Sequence, residues 1–215
     1  MKLSPFLCLV FVIMVLAACK KEKSDEGPLQ SHVCNYSPYT TGSSFNYEFV
    51  NVNPPMSGDF VLLVKGDSVI GNESYRVLED DITGEFSLFD CGNGDYVQLL
   101  AVTGIPNAPT QPIKTTYLKE NVPLGQGWSE DIPITITGLG DFMLNIRYTI
   151  IQKGSNKTVL GKAYTNVIGV EMEVSVPPFI PPQILSTNYY AKGVGLIELD
   201  RFEDTTRLRT YNIKP

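Results

Sequence analysis

The sequence predicts an all-β fold: a curved antiparallel sheet, closed into a partial barrel or sandwich, with few or no helices. Three observations carry that reading. Apolar residues recur at period two in residues 45–50 (FNYEFV), 85–90 (EFSLFD), 96–99 (YVQL) and 142–150 (FMLNIRYTI). Such alternation sends one set of side chains to a core and the other to solvent. The runs are rich in Val, Ile, Thr, Tyr and Phe, which pack well on a pleated surface. Turn signals separate them at short intervals, and no stretch of eleven residues carries a helical stripe free of Gly or Pro.

At 215 residues, 43% of them hydrophobic, the chain can bury one sizeable core, roughly 70% of what its unfolded form exposes. Its net charge of −6 argues against a nucleic-acid partner.

The first element is an address. Lys2 is followed by an apolar run from Pro5 to Ala18. That run is shorter than the roughly 20 residues a spanning helix needs, so residues 1–18 read as a signal peptide rather than an anchor helix. The run ends in Leu16-Ala17-Ala18-Cys19, which resembles the lipobox of bacterial lipoproteins. The resemblance implies that Cys19 becomes a diacylated, palmitate-bearing N-terminus that holds the protein on a membrane. Lys20 is not the Asp that retains many such proteins at the inner membrane, so the family rule favours the outer membrane and leaves open which face. Residues 19–31 then form a polar, charged tether, and residues 32–215 a single β domain.

Two cysteines remain, Cys34 and Cys91. In an oxidising compartment they form either a disulfide, which would pin the N-terminal segment to the sheet, or two separately buried thiols. Next comes Asp90-Cys91-Gly92-Asn93-Gly94-Asp95. It has a faint likeness to a calcium loop, but Gly92 and Gly94 bring no side-chain oxygen. Asn93-Gly94 between alternating runs is first a hairpin turn. Further turns are expected at Lys65-Gly66-Asp67, Gly71-Asn72, residues 80–84, residues 153–156 and Lys192-Gly193. Residues 104–112 (GIPNAPTQP) form a Pro-bearing connection, and Trp128 is expected as a core anchor. Residues 176–182 (VPPFIPP) read as a crossing loop or as an apolar lip, with Phe179 and Ile180 the candidate rim of a pocket.

Three later segments carry a looser likeness: PLGQGW at 123–128, TVLGKAYTNVI at 158–168 and YYAKGVGLI at 189–197. Together they resemble a diffuse group of secreted all-β bacterial proteins and lipoproteins of unknown function. The sheet it implies looks like that of the carriers that move lipoproteins between membranes, although this sequence offers no helices to close a cavity.

Chemistry is sparse. Nucleophilic catalysis usually needs a base, and the one histidine, His32, stands beside the tether. No phosphate loop, zinc motif or cofactor fingerprint occurs. No catalytic, metal or cofactor residues are therefore expected. The expectation is a non-enzymatic envelope lipoprotein that binds an apolar or acyl ligand on its curved sheet. The alternative is a surface lipoprotein that recognises a glycan or an envelope protein in uptake or adhesion. The tyrosines at 36, 39, 47, 75 and 96 could serve either role or simply pack sheet faces.

Overall fold

The computed structural model describes residues 34–100, 113–136 and 140–215. The signal peptide, Cys19, the tether, His32 and the GIPNAPTQP connection lie outside the described residues.

Twelve strands run in order: β1 (Ser44–Val52), β2 (Pro55–Ile70), β3 (Glu73–Asp80), β4 (Phe86–Gly92), β5 (Asp95–Leu100) and β6 (Ile113–Lys119), then β7 (Gly127–Ile136), β8 (Gly140–Val159), β9 (Lys162–Val176), β10 (Ile180–Ala191), β11 (Gly195–Arg201) and β12 (Asp204–Asn212). No helix occurs among the described residues. All twelve belong to one antiparallel sheet, in the order β6-β5-β4-β3-β2-β1-β12-β11-β10-β9-β8-β7. The N-terminal and C-terminal strands are neighbours, and the sheet curls until its two edges, β6 and β7, approach each other. The fold is the curved antiparallel sheet that the alternation predicts, nearly closed into a barrel.

Side chains bridge the remaining seam. The Trp128 indole Nε1 donates to the Thr116 carbonyl at 2.8 Å, and the Thr116 amide donates to Glu130 Oε1 at 2.8 Å. Side chains of β7 thus satisfy both backbone groups of one β6 residue, as a neighbouring strand would otherwise do.

Two expected turns are corrected. Lys65-Gly66-Asp67 lies inside β2, where the register with β3 shifts between Val64 and Gly66. Residues 153–156 lie inside β8, with register shifts on either side of Ser155. Gly66 and Gly154 have φ of 133° and 73°, which a β-bulge tolerates without ending a strand. Asn93-Gly94 is a hairpin turn, with both residues at positive φ, 56° and 86°.

The interior divides by height. The connections β2–β3, β4–β5, β6–β7, β8–β9 and β10–β11 lie at one end, and residues 34–43 plug that end from inside. Cys34 and Cys91 are bonded, with Cα atoms 6.0 Å apart. The Tyr36 amide meets the Tyr96 hydroxyl at 3.1 Å, Ser37 Oγ bonds the Tyr117 hydroxyl at 2.6 Å, and the Gly193 amide donates to the Asn35 carbonyl at 2.6 Å. The Tyr39 ring packs edge-on to Phe45 and Phe89, each at 5.4 Å. Around the plug lies a core of Phe45, Tyr47, Leu118, Ile150, Ile168 and Ile197, all buried.

Candidate functional site

Towards the opposite end the lumen is not filled. A cavity of about 220 Å³ is lined from β5 and β6 on one side of the seam and from β8 to β11 on the other. Strands so far apart in the sheet order can share a cavity only inside the ring.

Cross-strand register builds its walls. One row reads Trp128, Tyr148, Met172, Ser186 and Arg201 across β7 to β11, each paired with the next. The row beneath it reads Ile150, Val170, Asn188 and Leu199. Facing them are Thr115 and Gln98, which pair across β6 and β5. The Trp128 ring stacks on Tyr148 at 5.0 Å, so the lone tryptophan stands beside a residue of the cavity wall.

The electrostatics keep this wall neutral. Burial pushes the Tyr148 hydroxyl up to about 12; the nearby Glu130 charge adds to the rise, and a hydrogen bond with Thr115 opposes it. Tyr190 and Tyr117 are also raised well above the ordinary value, chiefly by burial. All three remain protonated donors at any physiological pH. Arg201, at the outer margin, is paired with Asp204 at 2.9 Å.

Two buried polar atoms in the wall have no partner. Ser186 is 3% exposed and Asn188 9%, and both Ser186 Oγ and Asn188 Oδ1 lack a hydrogen bond. Meanwhile their apolar neighbours Ile184 and Leu185 are exposed. The register between β10 and β9 shifts between Ile184 and Ser186, which inverts the expected order of polar out and apolar in. Sequence reasoning missed this pair because Ser and Asn in residues 183–190 (QILSTNYY) read as solvent-facing. The adjacent apolar pair Ile184-Leu185, which breaks strict alternation, was the available signal.

The remaining expected residues fall elsewhere. Phe179 and Ile180 line none of the described cavities. Phe179 ends the β9–β10 turn and packs edge-on to Phe142 at 5.1 Å, and Ile180 opens β10, paired with Val176. Tyr36, Tyr47, Tyr75 and Tyr96 are buried, so they present no flat aromatic face. A second cavity of about 510 Å³ lies at the unplugged end, with Leu62, Leu78, Phe86 and Phe89 in its lining. A third, of about 270 Å³ beside the disulfide, contains Arg76, which is already paired with Asp67 and donates to the Tyr39 carbonyl. No cluster of three or more His, Cys, Asp or Glu suited to a metal occurs among the described residues. The described residues contain no helix, and hence none long and apolar enough to cross a membrane.

No family model and no curated protein matches the sequence. Among solved structures the chain is similar to a candidate lipoprotein from Parabacteroides distasonis, at 12% identity and a TM-score of 0.47. It is similar also to a candidate exported protein with a YmcC-like fold from Bacteroides fragilis, at 10% identity and a TM-score of 0.47. Each match covers 81% of this chain and 97% of the other.

Proposed function

We propose that this chain is a non-catalytic, lipid-anchored protein of the bacterial cell envelope that receives an apolar or acyl ligand at the unplugged end of its barrel. The carrying observation is where the exposed apolar side chains stand. Val52, Met56, Ile82, Phe86, Phe179 and Phe202 all lie on or beside turns of that end, and Phe202 is 96% exposed. The plugged end exposes Val69, Ile70, Leu124 and Leu160 but no phenylalanine. Solvated aromatic rings around an opening, above a cavity whose lining joins Leu62, Leu78, Phe86, Phe89 and Leu99 to a polar edge at Asp80 and Glu85, suit an amphipathic ligand that removes the rings from water. Anchoring rests on the apolar run and lipobox ending at Cys19, and the outer membrane is favoured by Lys20. The absence of catalysis rests on the lone His32 and the missing cofactor motifs.

Two measurements test this reading. Mass spectrometry of the mature protein is expected to show a lipid-modified Cys19, and Cys19→Ala to release the protein from membranes; an unmodified N-terminus elsewhere removes the anchor. Titration of the processed chain, residues 19–215 with Cys19→Ser, with a hydrophobic fluorescent probe is expected to saturate. Phe179→Ser with Phe202→Ser should weaken binding about tenfold, in line with roughly 1.5–3 kcal/mol per fully buried large apolar side chain, of which part is realised at a rim. Binding indifferent to these changes removes the apolar ligand and leaves surface recognition of a glycan or protein.

A further inference from the structure

We propose that the 220 Å³ lumen cavity is a binding site for a neutral, hydroxyl-bearing group, held by Ser186 Oγ, Asn188 Oδ1 and the tyrosine hydroxyls of the wall. The site deepens the reading above and rests on it in one respect: the polyol is taken to be the head group of the amphipath whose chain occupies the apolar mouth.

The argument begins with cost. A buried polar atom with no partner loses its hydration without return, so such atoms are uncommon and call for an explanation. Here two of them lie on one strand, two residues apart, on the same lumen face, and both line one cavity. Oδ1 of an amide can only accept, whereas Oγ of a serine accepts or donates. Their complement therefore brings hydrogen-bond donors, at least one of them aimed at Asn188.

Charge narrows the class. Tyr117, Tyr148 and Tyr190 contribute uncharged hydroxyls, already bonded once to Ser37, Thr115 and the Asn188 amide respectively, and a hydroxyl that makes one such bond can still make another. The Glu130 carboxylate, one pleat along β7 from Trp128, acts on Tyr148, which disfavours a phosphate or carboxylate. Arg201, the cation of the lining, is held by Asp204. An ammonium group would find no carboxylate in the lining to pair with. A neutral polyol meets all three conditions.

Size agrees. At roughly 30 Å³ per water-sized group, the cavity holds on the order of seven such groups, comparable with a glycerol or a small sugar. The hydroxyl chemistry could arrive on a monoacylglycerol or as a free sugar, and the test separates them.

Trp128, stacked on Tyr148, supplies the readout. The processed chain is titrated below the micelle limit with monooleoylglycerol, oleate and glucose while tryptophan fluorescence is followed. Each is repeated with Ser186→Ala and Asn188→Leu combined, which removes the polar atoms at similar shape. The proposal expects monooleoylglycerol to bind at least tenfold more tightly than oleate, the difference to vanish in the double variant, and thermal stability to be equal or higher there. Oleate binding as tightly as monooleoylglycerol, or a difference that survives the double variant, overturns the polyol site while the apolar mouth stands. Saturable glucose binding that the variant abolishes, with neither lipid bound, keeps the polyol site and overturns the apolar mouth. No binding of any probe overturns both. Should the double variant fail to fold, Ser186→Ala alone is read in the same way.

Discussion

Thr116 shows how single side chains finish what the strand ladder leaves open. It sits on edge strand β6, and β7 meets it with an indole and a carboxylate rather than with backbone. Trp128 was legible in the sequence as a large anchor, and it does stack on Tyr148. Its second task, pairing a carbonyl across the seam, was not legible, because no local pattern says which strands become the edges of a sheet. Trp128→Phe keeps an aromatic ring against Tyr148 and removes the donor. It is expected to cost about 1–2 kcal/mol, the range for one hydrogen bond lost with its acceptor partly buried. Urea denaturation measures the loss, and amide exchange at Thr116 should quicken. Stability within a few tenths of wild type would mean that water replaces the indole at no cost.

At the scale of elements, the sequence signals divide by whether Gly has a hairpin partner. Asn93-Gly94 and Lys192-Gly193 turn the chain, as read. Gly66 and Gly154 carry the same residue-level signature yet sit inside β2 and β8, where an extra residue is absorbed as a bulge. Turn chemistry and bulge chemistry both ask for positive φ, so composition alone does not separate them. The N-terminal segment was legible through its cysteine, and the structure adds that it fills the lumen end. Its loop, with a sequence separation of 57, has a chain-entropy stabilisation of about 4 kcal/mol. Replacing Cys34 and Cys91 by Ser together should therefore lower unfolding free energy by about that amount and expose residues 34–43 to protease. A loss under about 1 kcal/mol would show that the Ser37–Tyr117 and Tyr36–Tyr96 contacts hold the plug unaided.

At the largest scale, the twelve strands form a nearly closed barrel with an aromatic interior, and this feature was only half legible. Alternation marked which strands have a buried face, but not that tyrosines from β6, β8 and β10 would converge across the lumen. Tyr117 and Tyr190 meet there at 5.5 Å, and Tyr117 and Phe89 at 5.8 Å. Convergence is a property of sheet order and curvature, which period-two patterning does not contain. It has a consequence for pH. Burial raises Tyr39 and Tyr148 from 10.0 to about 12, and raises Tyr47, Tyr117 and Tyr190 well above 10.0. The folded state thus holds its phenolic protons more tightly than the unfolded chain does. A pKa raised on folding contributes stability that is complete below the unfolded value and disappears as pH climbs through the folded one. Stability set by these groups should be level up to about pH 10 and should fall steeply between about pH 10 and 12. Absorbance at 295 nm, followed with circular dichroism, checks this. The buried tyrosines should ionise late and together with loss of the sheet. If all tyrosines ionise near pH 10 while the sheet persists, the lumen is wet enough to solvate a phenolate, and the tyrosine wall cannot hold a neutral ligand in the way proposed.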